Sequence, residues 1–183
     1  HSLKEYIDIV AGKTGWLLKG SCRLGALYAG ASEEEVEAVS DYGLNLGIAF
    51  QIVDDALDFA DEAVTGKPTA GDLTEGKFTP PIMKYFEFLP SMDRENFREK
   101  FKNGSFSAED RARIAADIRR LGFDAEARTM ADEYIAKAQA CLDRLPRRFE
   151  QAQGPCKLNA CLFTIDTATK KCVAVRRVDV NEI

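Results

Sequence analysis

The chain has 183 residues, 45% hydrophobic and 30% charged, with only 13 glycines and 6 prolines. This is the balance of a soluble globular protein and excludes a disordered, collagen-like or mucin-like chain. Its single histidine is His1, which argues against Ser-His-Asp, Cys-His or His-zinc chemistry, because a residue at a chain end is seldom fixed in a site. Acids outnumber bases 30 to 25 for a net charge of -5, so no basic surface dominates and nucleic acid is a poor partner.

Charge and cysteine divide the chain. Residues 155–183 carry five Lys/Arg against three acids, a net of +2 that leaves -7 for residues 1–154. Cys22 and Cys141 are scattered, whereas Cys156, Cys161 and Cys172 crowd the tail. An odd, widely spaced set does not read as a secreted disulfide framework. The longest apolar stretch, Leu44 to Val53, is interrupted by Asn45, Gly47 and Gln51 and falls short of the roughly 18–20 residues a transmembrane helix needs. With no signal-peptide pattern at its start, the chain reads as cytoplasmic, and it begins without Met as though cut from something longer.

In chain order, apolar residues three or four apart predict a first helix from Leu3 to Gly30, burying Tyr6, Ile7, Val10, Leu17, Leu18, Leu24 and Leu27. Ser32 followed by Glu35 is a capping box that opens a second helix running to about Glu62, with Val36, Val39, Leu46, Phe50, Val53 and Leu57 as its apolar face. Six Gly and Pro between Val64 and Pro81 predict a loop. Helices are expected again at Pro81–Leu89, Asp93–Asn103, Ser107–Leu121 and Phe123–Arg144. Beyond Pro146 the Val/Thr-rich pattern of 158–180 reads as two β-strands joined near Ala168–Lys171. The fold class is therefore all-α over residues 1–146, with a divergent tail at 147–183 that forms a candidate β-hairpin.

The densest chemical signal is Gln51 to Glu62, with five acids (Asp54, Asp55, Asp58, Asp61, Glu62) in nine residues. Asp54 and Asp58 share a helix face with Gln51 one turn earlier. Acids in the second half of a helix oppose its dipole and call for a cation. A solvated acidic face is the plainer account, but short Asp side chains among Phe50, Ile52, Val53, Leu57 and Phe59 form a wall rather than an open surface. Such carboxylates suit magnesium, which takes one or two of them and completes its shell with water and phosphate oxygens. Lys67 and Lys77 follow in a glycine-rich segment, and Lys13-Thr14 adds a cation beside a hydroxyl, all suited to phosphate.

These residues resemble the trans-prenyl diphosphate synthases (polyprenyl synthetases), in particular their octaprenyl-type long-chain branch. The resemblance runs through Lys13-Thr14, Ser32 to Glu35, Asp41-Tyr42-Gly43, Leu46 to Phe59, Gly66-Lys67 and Asp72 to Pro81, and covers residues 3 to about 146. It implies an isoprenoid synthase helical bundle, usually a homodimer, condensing an allylic diphosphate with isopentenyl diphosphate under magnesium. By resemblance Asp54, Asp55 and Asp58 form the second aspartate-rich motif and hold the metal, with Asp54 in direct contact. Lys13, Lys67 and Lys77 bind the leaving diphosphate, and Lys13, Thr14 and Gln51 line the reacting centre.

No first aspartate-rich motif is present, so the chain reads as the C-terminal half of such a synthase, turning over little or nothing alone and associating through uncovered apolar faces. The tail departs from the family. Its cysteine spacings make a weak metal knuckle, and a frame-shifted or foreign segment accounts for it at least as well. A noncatalytic partner subunit, a helical interaction module with solvated acids and a terpene cyclase are the competing readings. The intact Asp54, Asp55 and Asp58 favour the enzyme over a partner subunit, and the Gly66–Lys77 loop favours chain elongation over cyclisation.

Overall fold

The computed structural model of the chain describes residues 2–60 and 69–145 and the backbone of two strands, 157–165 and 172–181. Ser2 opens α1 (Leu3–Val10) through a capping box with Glu5. The predicted first helix then widens into a π-turn at Ala11–Gly15 before continuing as α2 (Trp16–Tyr28). A π-turn inserts one extra residue into a helical turn and commonly marks a functional position; here it carries Lys13 and Thr14.

The predicted capping box of Ser32 and Glu35 starts α3 (Glu33–Leu57). The helix stops earlier than Glu62, since Asp58 to Ala60 already turn and Arg119 donates to the Phe59 carbonyl at 2.7 Å. Two sets of core expectations need correction. Val36 is buried as predicted, but Leu46, Phe50 and Leu57 are exposed, and α3 buries Ala38, Gly43, Gly47, Ile48, Ala49, Ile52 and Ala56 instead. On α2, Leu17, Leu24 and Leu27 are exposed and no residue is fully buried. The reason is close approach: α3 lies against α2 and the π-turn through its glycines, so small residues meet the neighbour and large ones point away.

A further correction falls within the predicted loop, which contains a short helix, α4 (Gly71–Glu75). Ala70, in the left-handed region at φ 59° and fully buried, leads into it, a conformation that costs a non-glycine residue of order 1 kcal/mol and needs surrounding contacts to hold it. Then follow α5 (Pro80–Phe88), with prolines in its first turn where no donor is needed, α6 (Ser91–Asn103), α7 (Ala108–Leu121) and α8 (Phe123–Leu142). Ser107 and Asp110 cap α7, and Gly122 at φ 78° separates it from α8, as the sequence predicts.

α3 is the central rod, packed by α2 and α8. One apolar core gathers Phe59, Leu73, Ile82, Tyr85, Phe97 and Ile114; a second gathers Tyr6, Val10, Ile48, Ile52, Met83 and Ala131. The first core takes Phe59 from the end of α3 together with Ala70 and Leu73, which fixes α4 against that end. Among the described residues no helix is long and apolar enough to cross a membrane.

The chain divides into two compact units, His1–Pro146 and Arg147–Ile183. The second contains β1 (Lys157–Ile165) and β2 (Cys172–Asn181), antiparallel, with Lys157 opposite Asn181, Phe163 opposite Val175 and an irregularity between Thr164 and Ile165. This is the expected hairpin. Its connection near Ala168–Lys171, Cys156 and the side chains of Cys161 and Cys172 lie outside the described residues.

Candidate functional site

Two helices and one loop build the site. The π-turn after α1 brings Lys13, the last third of α3 brings Gln51 and Asp55, and the residues after α4 bring Lys77; all four line one cavity of about 350 Å³. Gln51 is buried, Asp55 half-buried and Lys13 exposed. Residues up to 64 positions apart in sequence thus converge on a space that suits a small polyanion, with two ammonium groups, one amide and one carboxylate on its walls.

The three aspartates have separate surroundings. Asp54 is exposed. Asp55 accepts a hydrogen bond from the Tyr6 hydroxyl at 2.6 Å; burial raises its carboxyl above the usual range, opposed by that bond and by Lys77 and Lys13. Asp58 accepts from the Gly71 N–H through Oδ1 at 3.1 Å and from the Asp72 N–H through Oδ2 at 3.0 Å. Its carbonyl takes the Ala70 N–H at 2.8 Å and the Thr69 hydroxyl at 3.1 Å. Asp58 therefore ties the end of α3 to the start of α4, satisfying backbone donors that the short helix leaves open.

Asp72 has no role expected from the sequence. Asp72 is buried, its Oδ1 accepts from Lys77 Nζ at 3.3 Å, and its Oδ2 has no hydrogen-bond partner among the described residues. Burial, with the charges of Asp58 and Asp55, pushes its carboxyl up to about 7. An orphan buried carboxylate oxygen is costly unless something external satisfies it. Its signal in the sequence was the Gly71-Asp72 pair at the head of the lysine loop, read there for its cations only. Lys77 also pairs with Glu75 at 2.6 Å, and that bond with the Asp72 charge raises its ammonium further above its ordinary value.

Thr14 lies half-buried in the π-turn but does not line the cavity. Lys67 lies outside the described residues. Among the described residues no three His, Cys, Asp or Glu side chains converge closely enough to hold a metal by themselves. A larger groove of about 1140 Å³ between α5, α6 and α8 is walled by Phe86, Phe97, Phe101 and Met130; it shares Phe78 with the smaller cavity and has no aspartate in its lining.

The all-α bundle has the fold of the isoprenoid synthase class, and its cavity carries Lys13, Gln51, Asp55 and Lys77. Residues 1–118 match the polyprenyl synthetase family, and the chain belongs to that family. It is 38% identical over 143 residues to the geranylgeranyl diphosphate synthase of Sulfolobus acidocaldarius, covering 78% of this chain and 43% of that one. It is 32% identical over 147 residues to heptaprenyl diphosphate synthase component 2 of Bacillus subtilis, covering 80% and 41%. The structure of a polyprenyl synthase from Caulobacter crescentus CB15, complexed with calcium and isoprenyl diphosphate, superposes with a TM-score of 0.73 at 32% identity, covering 80% of this chain and 45% of that one. The chain spans less than half the length of these relatives.

Proposed function

We propose that this chain is the diphosphate-holding, C-terminal half of a trans-prenyl diphosphate synthase, a transferase that joins an allylic diphosphate to isopentenyl diphosphate. The observation that carries the reading is the meeting of Lys13, Gln51, Asp55 and Lys77 in one cavity. Lys13 and Lys77 neutralise charge on a leaving diphosphate, where fixed cations are worth most because they need no reorganisation as the bond breaks. Gln51 turns a neutral dipole to the same space, and Tyr6, Ile9 and Val10 supply apolar wall that keeps water from an allylic cation.

The donor set fits magnesium. Hard carboxylate oxygens are present at Asp54, Asp55 and Asp58, and the orphan Oδ2 of Asp72 provides a buried acceptor without a protein donor among the described residues. Magnesium uses one or two carboxylates and fills its shell with water and phosphate. Such an ion, when bound, supplies Lewis-acid stabilisation of the diphosphate. Asp54 and Asp55 would hold it, and Asp58 ties the end of α3 to the start of α4; Lys67 is assigned to the phosphate with Lys13 and Lys77 by the family resemblance alone. Thr14 contributes through the π-turn. Isothermal titration of the chain with magnesium pyrophosphate tests this: binding weakened about tenfold or more by K13A or K77A supports it, and equal affinity in both variants overturns it.

The long-chain, octaprenyl-type product rests on the motif string of residues 46–59 and 66–81, while the relatives' names span geranylgeranyl, heptaprenyl and decaprenyl products. A prenyl-transfer assay on the isolated chain should show little turnover; robust elongation overturns the half-synthase reading. One observation favours a second reading, a subunit working with another chain: the similarity to a protein named as a synthase component.

A further inference from the structure

Tyr6 lies in the second apolar core and is 5% exposed. Filling that space requires a ring and no hydroxyl, yet the hydroxyl reaches 49 residues along the chain to Asp55 Oδ2 at 2.6 Å. A neutral O–H donating to a carboxylate at this distance is a charge-assisted bond, about twice as strong as a neutral pair. It crosses from α1 to α3 and is the only side-chain donor to Asp55 among the described residues.

The surroundings show what the bond does. Asp55 follows Asp54, whose charge disfavours a second carboxylate beside it, and burial disfavours it further. Both Tyr6 and Asp55 line the cavity that Lys13 and Lys77 share. The phenol engages Oδ2, and among the described residues no side chain donates to Oδ1.

We propose that Tyr6 is a positioning residue for the diphosphate site, its hydroxyl fixing the Asp55 carboxylate on the cavity wall with one oxygen occupied and the other presented to magnesium-diphosphate. This rests on the site reading above. The test is isothermal titration of the whole chain with magnesium pyrophosphate, using wild type, Y6F, D55N and Y6F/D55N, alongside thermal melts. Y6F should weaken binding about tenfold, the size of one hydrogen bond to a charged group, and should add nothing further in the D55N background. Y85F, which removes a buried hydroxyl in the other core, should leave affinity unchanged whatever it does to the melt. Unchanged affinity in Y6F, or a Y6F effect that persists in full with D55N, overturns the proposal while leaving the site intact. If the wild-type chain does not bind, the site reading fails and the proposal with it. Should Y6F lose its helical circular dichroism, D55N decides alone: weakened binding supports the presented carboxylate and unchanged binding overturns it.

Discussion

Gly47 of α3 and Gly15 of the π-turn are in backbone contact: a Cβ on Gly47 would stand 2.7 Å from Gly15 Cα and 3.1 Å from its nitrogen. No real Cβ tolerates the first distance, so α3 and the Lys13-Thr14 turn approach this closely only because both positions are glycine.

Gly47→Ala must push the π-turn off α3. Overpacking of this kind costs about 1–3 kcal/mol, read as a lower midpoint in urea with little change in slope. Gly20→Ala on α2, where an added Cβ meets nothing within 4 Å, should instead stabilise by about 0.5–1 kcal/mol from helix propensity. Equal effects at the two positions would remove close approach as the reason for Gly47.

Asp72 makes stability depend on pH in an unusual direction. Its carboxyl titrates near 7 in the folded chain and near 3.9 when unfolded, so between those values the folded state holds a proton that the unfolded state has lost. Stability therefore falls as pH rises from about 4 to about 7, by an amount on the order of a few kcal/mol for this group, with Asp58, Asp55 and Lys77 as the charges that set it. Asp72→Asn removes the titration. The melting temperature of Asp72→Asn relative to wild type should climb across this range, and a constant difference would show that Asp72 is ionised throughout.

Asp58 acts on the backbone of α4. Asp58→Ala leaves the Gly71 and Asp72 N–H groups without their acceptors and should cost about 1–2 kcal/mol, as loss of a helix cap does. Hydrogen exchange locates the loss: amides 70–73 should exchange faster while those of α7 and α8 keep their protection. Unaltered exchange at Gly71 and Asp72 would contradict the cap.

The outer face of α2 exposes Leu17 at 70%, Leu24 at 69% and Trp16 at 59%. A contiguous apolar face of this kind drives association, so the chain should be larger than a monomer by light scattering at micromolar concentration. Leu17→Glu with Leu24→Glu should shift it toward monomer with little change in helical signal. A monodisperse wild-type monomer would count against it.

Much of the local structure was legible from the sequence alone. Ser32 and Glu35, Ser107 and Asp110, and Gly122 fix helix ends through short-range bonds and backbone restriction, which depend on neighbours three or four residues away. Lys13, Gln51, Asp55 and Lys77 each stand in an ordered string of motifs, but that string also holds Thr14, Asp54 and Asp58, which do not line the cavity. Tertiary packing decided the rest. Periodicity placed Leu46, Phe50 and Leu57 inside, but the face that α3 buries is set by how near α2 and α8 can come, and glycine and alanine allow the nearest approach. The π-turn, the helix hidden at Gly71–Glu75, the Tyr6 bond to Asp55 and the burial of Asp72 all join residues far apart in sequence. Burial and charge fall off with distance in space, so no reading along the chain could weigh Asp72 against Asp58 and Asp55 until folding had brought them together.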